Sequence, residues 1–340
     1  MSKITLADVA REAGLATSTV SLALNRRPSD CRLGKQTRQR ALDAAAALGY
    51  RPNWRAKALA QQKTFTVAVI YARDAPYATG ANEAISDALA QALSSVGYYQ
   101  LLVPIVGDSS TWQDAVRPDR VDGCVVLNPK PINLGEIRQA TGLPMALVNV
   151  VDDDPSLFRV IPDDRDGARR LTEHLLALGH RHIGFYVRPD EPNEHGQEHF
   201  SVAERLAGYR DAMEEAGLAR QVDVVTHLEP AAYVQRMIDK PGQVTAVIAY
   251  DHFQALHLMH CVQQRGLRVP EDLSIGTFND SRLLEYLNPA LTTIALPDHD
   301  MGELAAHRLL RMLADDSAGP SEVRLPTQLR VRASTGPVPV

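Results

Sequence analysis

Apolar residues at Leu6, Val9, Ala10 and Ala13 recur at the spacing that keeps one face of a short helix dry. Thr5 precedes them and Asp8 follows it by three residues, the spacing of a capping box. Gly14 breaks this helix. Val20, Ala23 and Leu24 then form a second stripe, while Thr17, Ser18, Ser21 and Leu22 face elsewhere. Two short helices across a tight turn, the second with a small polar outer side, predict a helix-turn-helix, although any compact amphipathic pair would share the pattern. A third helix is expected from Gln36 to Leu48, burying Ala41, Leu42, Ala45 and Leu48 and closing at Gly49. Pro52 ends regular structure, because the residue before proline avoids helical angles, and Asn53 can cap a short segment reaching Ala60.

After Lys63 the period changes from helix to strand. Apolar β-runs are expected at Thr66–Tyr71, Tyr99–Ile105, Gly123–Leu127, Met145–Val150, His182–Val187, Val222–Thr226, Ala246–Ala249 and Leu273–Thr277. Amphipathic helices Asn82–Ser95, Ala168–Leu178, Val202–Ala216, Phe253–Arg265 and Met301–Ala314 lie between or after them. Such alternation implies parallel sheets covered on both faces, here two doubly wound lobes with a cleft between them. The chain is expected to cross between lobes more than once. The organisation that follows is a headpiece (1–50), a linker (51–63) and a core (64–340). One lobe takes 64–161 with 295–322, the other 162–294 with 323–340.

Charge sharpens the division. Within 1–63 there are twelve Lys or Arg against four Asp or Glu; the remainder holds 24 against 37. A basic head on an acidic body suits a phosphate-neutralising module joined to one that phosphates would repel. Cys31, Cys124 and Cys261 show no metal-ligand spacing, so no metal or cofactor is expected. No apolar run approaches a membrane span and no secretory signal precedes the first helix, so a cytoplasmic location is expected. Phosphate-cradling and nucleophile-elbow motifs are missing, which argues against an enzyme. His257, His260 and Cys261 share a helix and His180 and His182 flank a strand start, but no second cluster completes a zinc site.

The chain resembles the lactose-repressor (LacI/GalR) family of bacterial transcription regulators along essentially its whole length. The resemblance rests on Thr5-Leu-Ala-Asp-Val-Ala with Ala13-Gly14, Thr19-Val-Ser21 with Asn25, Thr37-Arg38, Leu48-Gly-Tyr-Arg-Pro-Asn53, Leu178-Gly-His180, Arg205-Leu-Ala-Gly-Tyr209 and Leu291-Thr-Thr-Ile294. It implies a homodimer on a palindromic operator, with a small all-α helix-turn-helix headpiece on an α/β, periplasmic-binding-protein-like core. The helix from Thr17 would enter the major groove. Thr5, Thr19, Ser21 and Asn25 would hold phosphates or orient it, and Thr17, Ser18 and Leu22 would either face base edges or only tolerate the groove while hinge and shape readout dominate. Ala16 departs from the family's usual serine cap. Asn53, Ala56 and Lys57 fall in the family's hinge-helix pattern, where Leu59 matches the leucine that wedges into the minor groove. Packing of Leu59 on the core is the alternative.

The same resemblance implies a small-molecule effector, a sugar or sugar acid, in the inter-lobe cleft. Its expected contacts are Asn149, Arg205, Tyr250 and Asn279, with Arg73 and Tyr77, in the cleft-facing loop after the first core strand, as further contacts or only rim residues. Asn149 and Asn279 stand where the family often carries aspartate, and Tyr250 where it often carries asparagine. Arg73 with Arg205 would admit an anionic effector, while Asp251 reads as a helix cap. A two-lobed solute-binding protein without DNA binding is the competing class.

Overall fold

The computed structural model describes residues 4–25, 33–51, 58–59, 61–72, 81–105, 111–127, 134–187, 199–239, 244–316 and 319–338. It divides into two units, Met1–Thr64 and Phe65–Val340. In the first, helices α1 (Leu6–Ala13), α2 (Thr17–Asn25) and α3 (Lys35–Ala47) enclose a small core. Thr5 and Asp8 close the capping box on α1, and Gly14 ends it in the left-handed region at φ 60°. Arg40 of α3 donates to the Ala13 carbonyl at 2.6 Å, satisfying an orphan acceptor at that helix end. Val9, Ala10, Ala13, Val20, Ala23, Ala41, Ala44 and Ala45 are buried together. The alanines let the helices approach closely, and Leu6, Leu15, Leu24, Leu33, Leu48 and Tyr50, partly buried, pack around that centre. Leu42 was expected inside and is 38% exposed; the helical period from Ala41 turns Ala44 and Ala45 inward instead.

The second unit alternates strands and helices. In chain order they are β1 (Thr66–Ala72), α4 (Ala81–Ser95), β2 (Tyr99–Ile105), α5 (Thr111–Ala115), β3 (Gly123–Leu127), α6 (Leu134–Thr141), β4 (Met145–Val148) and β5 (Phe158–Pro162). Then follow α7 (Asp164–Ala177), β6 (Ile183–Tyr186), α8 (Phe200–Glu215), β7 (Asp223–Val225), α9 (Pro230–Asp239), β8 (Ala246–Ala249), α10 (His252–Gln264), β9 (Ser274–Phe278) and β10 (Thr292–Ala295). The chain finishes with α11 (Asp298–Met312), β11 (Glu322–Leu325) and β12 (Gln328–Arg330). Two six-stranded sheets result, ordered β11-β5-β4-β3-β1-β2 and β12-β10-β9-β8-β6-β7. Their orders match strand for strand. Every described pairing is parallel except β10 with β12. Fully apolar runs such as β3, β4 and β8 are buried throughout, as parallel strands covered on both faces must be.

The chain passes between the lobes three times: after β5, after β10 and after β11. The last crossing lies beyond Leu325, not at the expected 322, because β11 pairs with β5 from Glu322 to Leu325. Arg159 and Glu322, partners in that register, form an ion pair at 2.7 Å. Strands β5, β11 and β12 carry charges or a proline and escaped the apolar-run pattern for that reason, and β10, a four-residue strand opening on two threonines, escaped it too.

Among the described residues, no helix is long and apolar enough to cross a membrane. Residues 332–338 are woven into the second lobe. His180, expected at a strand edge, is instead fully buried, and its ring nitrogens meet Thr245, Ser274 and the Gly336 carbonyl at 2.9–3.1 Å. Ser334 Oγ accepts from the Thr292 amide at 2.8 Å and donates to the Ile275 carbonyl at 2.6 Å. Replacing Ser334 by alanine strands both groups in the interior. Urea unfolding of Ser334→Ala is therefore expected to show a loss of about 1–3 kcal/mol with little change in m-value.

Candidate functional site

Two surfaces carry the predicted chemistry, one in each unit. In the headpiece, Gly14, Leu15 and Ala16 join α1 to α2, and Val20 and Ala23 anchor α2 inward. Thr17 and Ser18 consequently lie exposed on its first turn, while Thr19, Ser21 and Leu22 are half-buried. Thr5 is exposed, but its hydroxyl donates to Asp8 at 2.7 Å and so serves the cap of α1. Small hydroxyls at an exposed helix start let that end approach a groove closely. Asn25 lies at the end of α2. Asn53, Ala56 and Lys57 fall outside the described residues. Leu59 stands in a helical stretch and is 84% exposed, a costly position for an apolar side chain lacking a partner surface.

In the body, four of the six expected contacts come together around Arg205. This arginine is buried on α8, only 2% exposed. Its Nε donates to Asp164 at 2.6 Å, Nη1 to the Tyr250 carbonyl at 2.6 Å and Nη2 to Asn279 Oδ1 at 3.3 Å. The guanidinium carbon lies 4.2 Å from the Phe278 ring centre and 4.8 Å from that of Tyr250. Tyr250 thus stacks on this arginine. Gly208, one turn on, explains how α8 is held in place: a Cβ there would sit 2.0 Å from the Arg165 carbonyl of α7. Tyr209 completes the anchor, its hydroxyl donating to the Ile183 carbonyl at 2.6 Å. The Arg205–Tyr209 motif therefore presents one arginine from a helix packed backbone to backbone.

Asn149 and Asn279 occupy matching corners. Each directly follows a central strand, β4 or β9, and each is left-handed, at φ 56° and 65°. Asparagine enters that region at low cost. Both corners lie at the carboxyl ends of parallel strands, where open α/β sheets bind ligands. Asp251 caps α10, accepting from the Gln254 amide at 2.8 Å. Arg73 and Tyr77 lie outside the described residues.

Four residues of this cluster were missed at the sequence level: Asp164, Asp298, His199 and Ser201. His199 Nε2 lies 3.0 Å from the Asn149 carbonyl, bridging the lobes. Its Nδ1 accepts from the Ser201 amide, so the ring is neutral and protonated on Nε2. Burial, helped by the nearby Arg205 charge, brings the imidazole down to about 4. Ser201 passes the network on to the Tyr250 hydroxyl at 2.7 Å. Asp164 and Asp298 are the first residues of α7 and α11, the helices entered after the first and second crossings. Acids at helix starts ordinarily signal only a favourable dipole, and nothing in the sequence marks these as buried. Burial raises both carboxyls, and Asp298 reaches about 7, with Asp164 and Asp280 adding to the effect and Arg205 opposing it.

Comparison with known proteins places these surfaces in context. Residues 5–53 match the bacterial regulatory proteins of the lacI family, and residues 172–335 match a periplasmic binding protein-like domain. An uncharacterised HTH-type transcriptional regulator from the aml 5′ region of Streptomyces limosus is 31% identical, over 97% of this chain and 94% of its own length. The lac repressor dimer bound to operator and the anti-inducer ONPF superposes with a TM-score of 0.77 at 25% identity, covering 98% of this chain and 100% of that one. A CelR–cellobiose complex gives a TM-score of 0.67 at 26% identity, covering 97% and 99%.

Asp298 supplies a pH test. Its folded value, about 7, lies above the ordinary 3.8, so the fold binds the extra proton and loses stability as pH rises between those values. Asp298→Asn removes the ionisation. Thermal melts are expected to show the variant more stable than wild type at pH 8, by roughly 2–4 kcal/mol, with the gap closing toward pH 4.

Proposed function

This chain belongs to the lacI family of bacterial regulatory proteins, and we propose that it is a dimeric repressor of a palindromic operator, released or engaged by a sugar or sugar derivative held between the lobes. The observation that carries this reading is the joining of two devices in one chain. A helix-turn-helix offers small hydroxyls at the start of α2, and a two-lobed body gathers a buried polar cluster at its strand ends. The charge division supports it, since the basic residues concentrate in the first unit. A solute-binding body alone would have no use for residues 5–53, which match a DNA-binding regulator.

Linkage is the proposed mechanism. The lobes are joined by three crossing segments, so a ligand that favours one lobe angle changes the spacing of paired hinge segments in a dimer. Those segments, nine residues or so each, are too short for stable helix alone and need DNA and the partner to form. Leu59 then finds an apolar surface by wedging between base pairs. A 100-fold change in operator affinity needs only about 2.7 kcal/mol of coupling.

Two measurements test this. Gel shifts with captured genomic fragments are expected for the full chain and lost on deleting residues 1–60. Leu59→Ala is expected to weaken specific binding at least tenfold while leaving effector affinity of DNA-free protein within twofold. Equal loss of both would assign Leu59 to core packing.

A further inference from the structure

Asp164 and Asp298 stand at equivalent corners of the two lobes, each opening the helix that follows a crossing. They are 0% and 9% exposed. Each keeps one carboxylate oxygen, Asp164 Oδ2 and Asp298 Oδ1, with no hydrogen-bond partner among the described residues. Asn149 Oδ1 is a third buried acceptor in the same condition. An unpaired buried acceptor costs more than an ordinary hydrogen bond returns, and a carboxylate costs most. Three in one cluster suit a partner that donates.

Charge narrows the partner further. Arg205 is the cation at the centre, and it is already committed: Asp164 holds Nε, and the other two nitrogens serve Tyr250 and Asn279. Arg332 is likewise clamped by both oxygens of Asp280, at 2.8 and 3.0 Å. An anionic ligand would meet a neutralised arginine and two carboxyl oxygens. The sequence-level expectation of an anionic effector therefore loses Arg205 as its free cation.

We propose that Asp164 and Asp298 determine the specificity of the effector cleft, accepting hydrogen bonds from an uncharged polyhydroxylated ligand and disfavouring its carboxylate and phosphate analogues. This rests on reading the cleft as the effector site. The two acids belong to different crossing segments, so a ligand bonded to both ties those segments together. The contacts that select the ligand also fix the lobe angle.

Isothermal titration of the full-length chain tests this with matched probes: glucose, galactose, ribose and cellobiose, with glucuronate, galacturonate and the 6-phosphates of glucose and galactose. At least one neutral sugar is expected to bind, with any charged counterpart at least tenfold weaker. Asp298→Asn is expected to weaken that neutral sugar about tenfold. Asp164→Asn, which leaves Arg205 unneutralised, is expected to shift preference toward the acid; if circular dichroism shows it unfolded, Asp298→Asn decides. Tighter binding of an acid or phosphate, no binding of any neutral probe, or unchanged affinity in Asp298→Asn overturns the proposal. Retention of genomic DNA fragments is followed in parallel. Release of DNA by an acid sinks this proposal alone, whereas a chain that captures no DNA sinks the regulator reading beneath it.

Discussion

A buried ion pair between Asp164 and Arg205 organises the body of this protein. Taking both charges out of water is expensive, and the pair survives because every nitrogen of the guanidinium finds an acceptor and two aromatic rings lie against it. Removing one partner of such a pair typically costs about 3–5 kcal/mol, far more than the pair contributes over an apolar substitute. The consequence is positional. Asp164 marks the first crossing between lobes, Tyr250 follows β8 and Asn279 follows β9, so one side chain ties two strand ends of the second lobe to the place where the chain enters it.

Each lobe holds a pair of helices at backbone contact. Gly208 lets α8 approach the backbone of α7, and Gly302 does the same for α11 against α4, where a Cβ would lie 2.3 Å from the Ile85 carbonyl. Helices this close have no room to slide past one another without a clash. Between the lobes, His199 adds one hydrogen bond from the second lobe to the Asn149 carbonyl of the first. A neutral imidazole suits that task, since its protonation would leave Nδ1 unable to accept from Ser201.

The headpiece uses a different economy. Its alanine-rich centre brings three helices close, with partly buried leucines around it, and the cap of α1 and the Arg40 bond to the Ala13 carbonyl add to the packing. Leu59, left 84% exposed, fits a residue awaiting a second surface.

Much of this was legible along the chain. The capping box at Thr5 and Asp8, the break at Gly14, the apolar β-runs and the glycine-terminated helices all follow from neighbours within a few residues, where local sterics and hydrogen bonding decide. Asn149, Arg205, Tyr250 and Asn279 could be picked out because they stand where the family resemblance implies ligand contacts. Strands β5, β11 and β12 could not, since their residues make sense only once ion pairs and sheet edges bring distant segments into register. The same holds for Asp164, Asp298 and His199. A buried aspartate and a solvated helix-start aspartate look alike in sequence, and only the packing of helices from both lobes excludes water from these and shifts their proton affinities. Local chemistry determined the elements, and the family resemblance supplied most of the candidate residues. Long-range burial decided which of their charges remain free to meet a ligand.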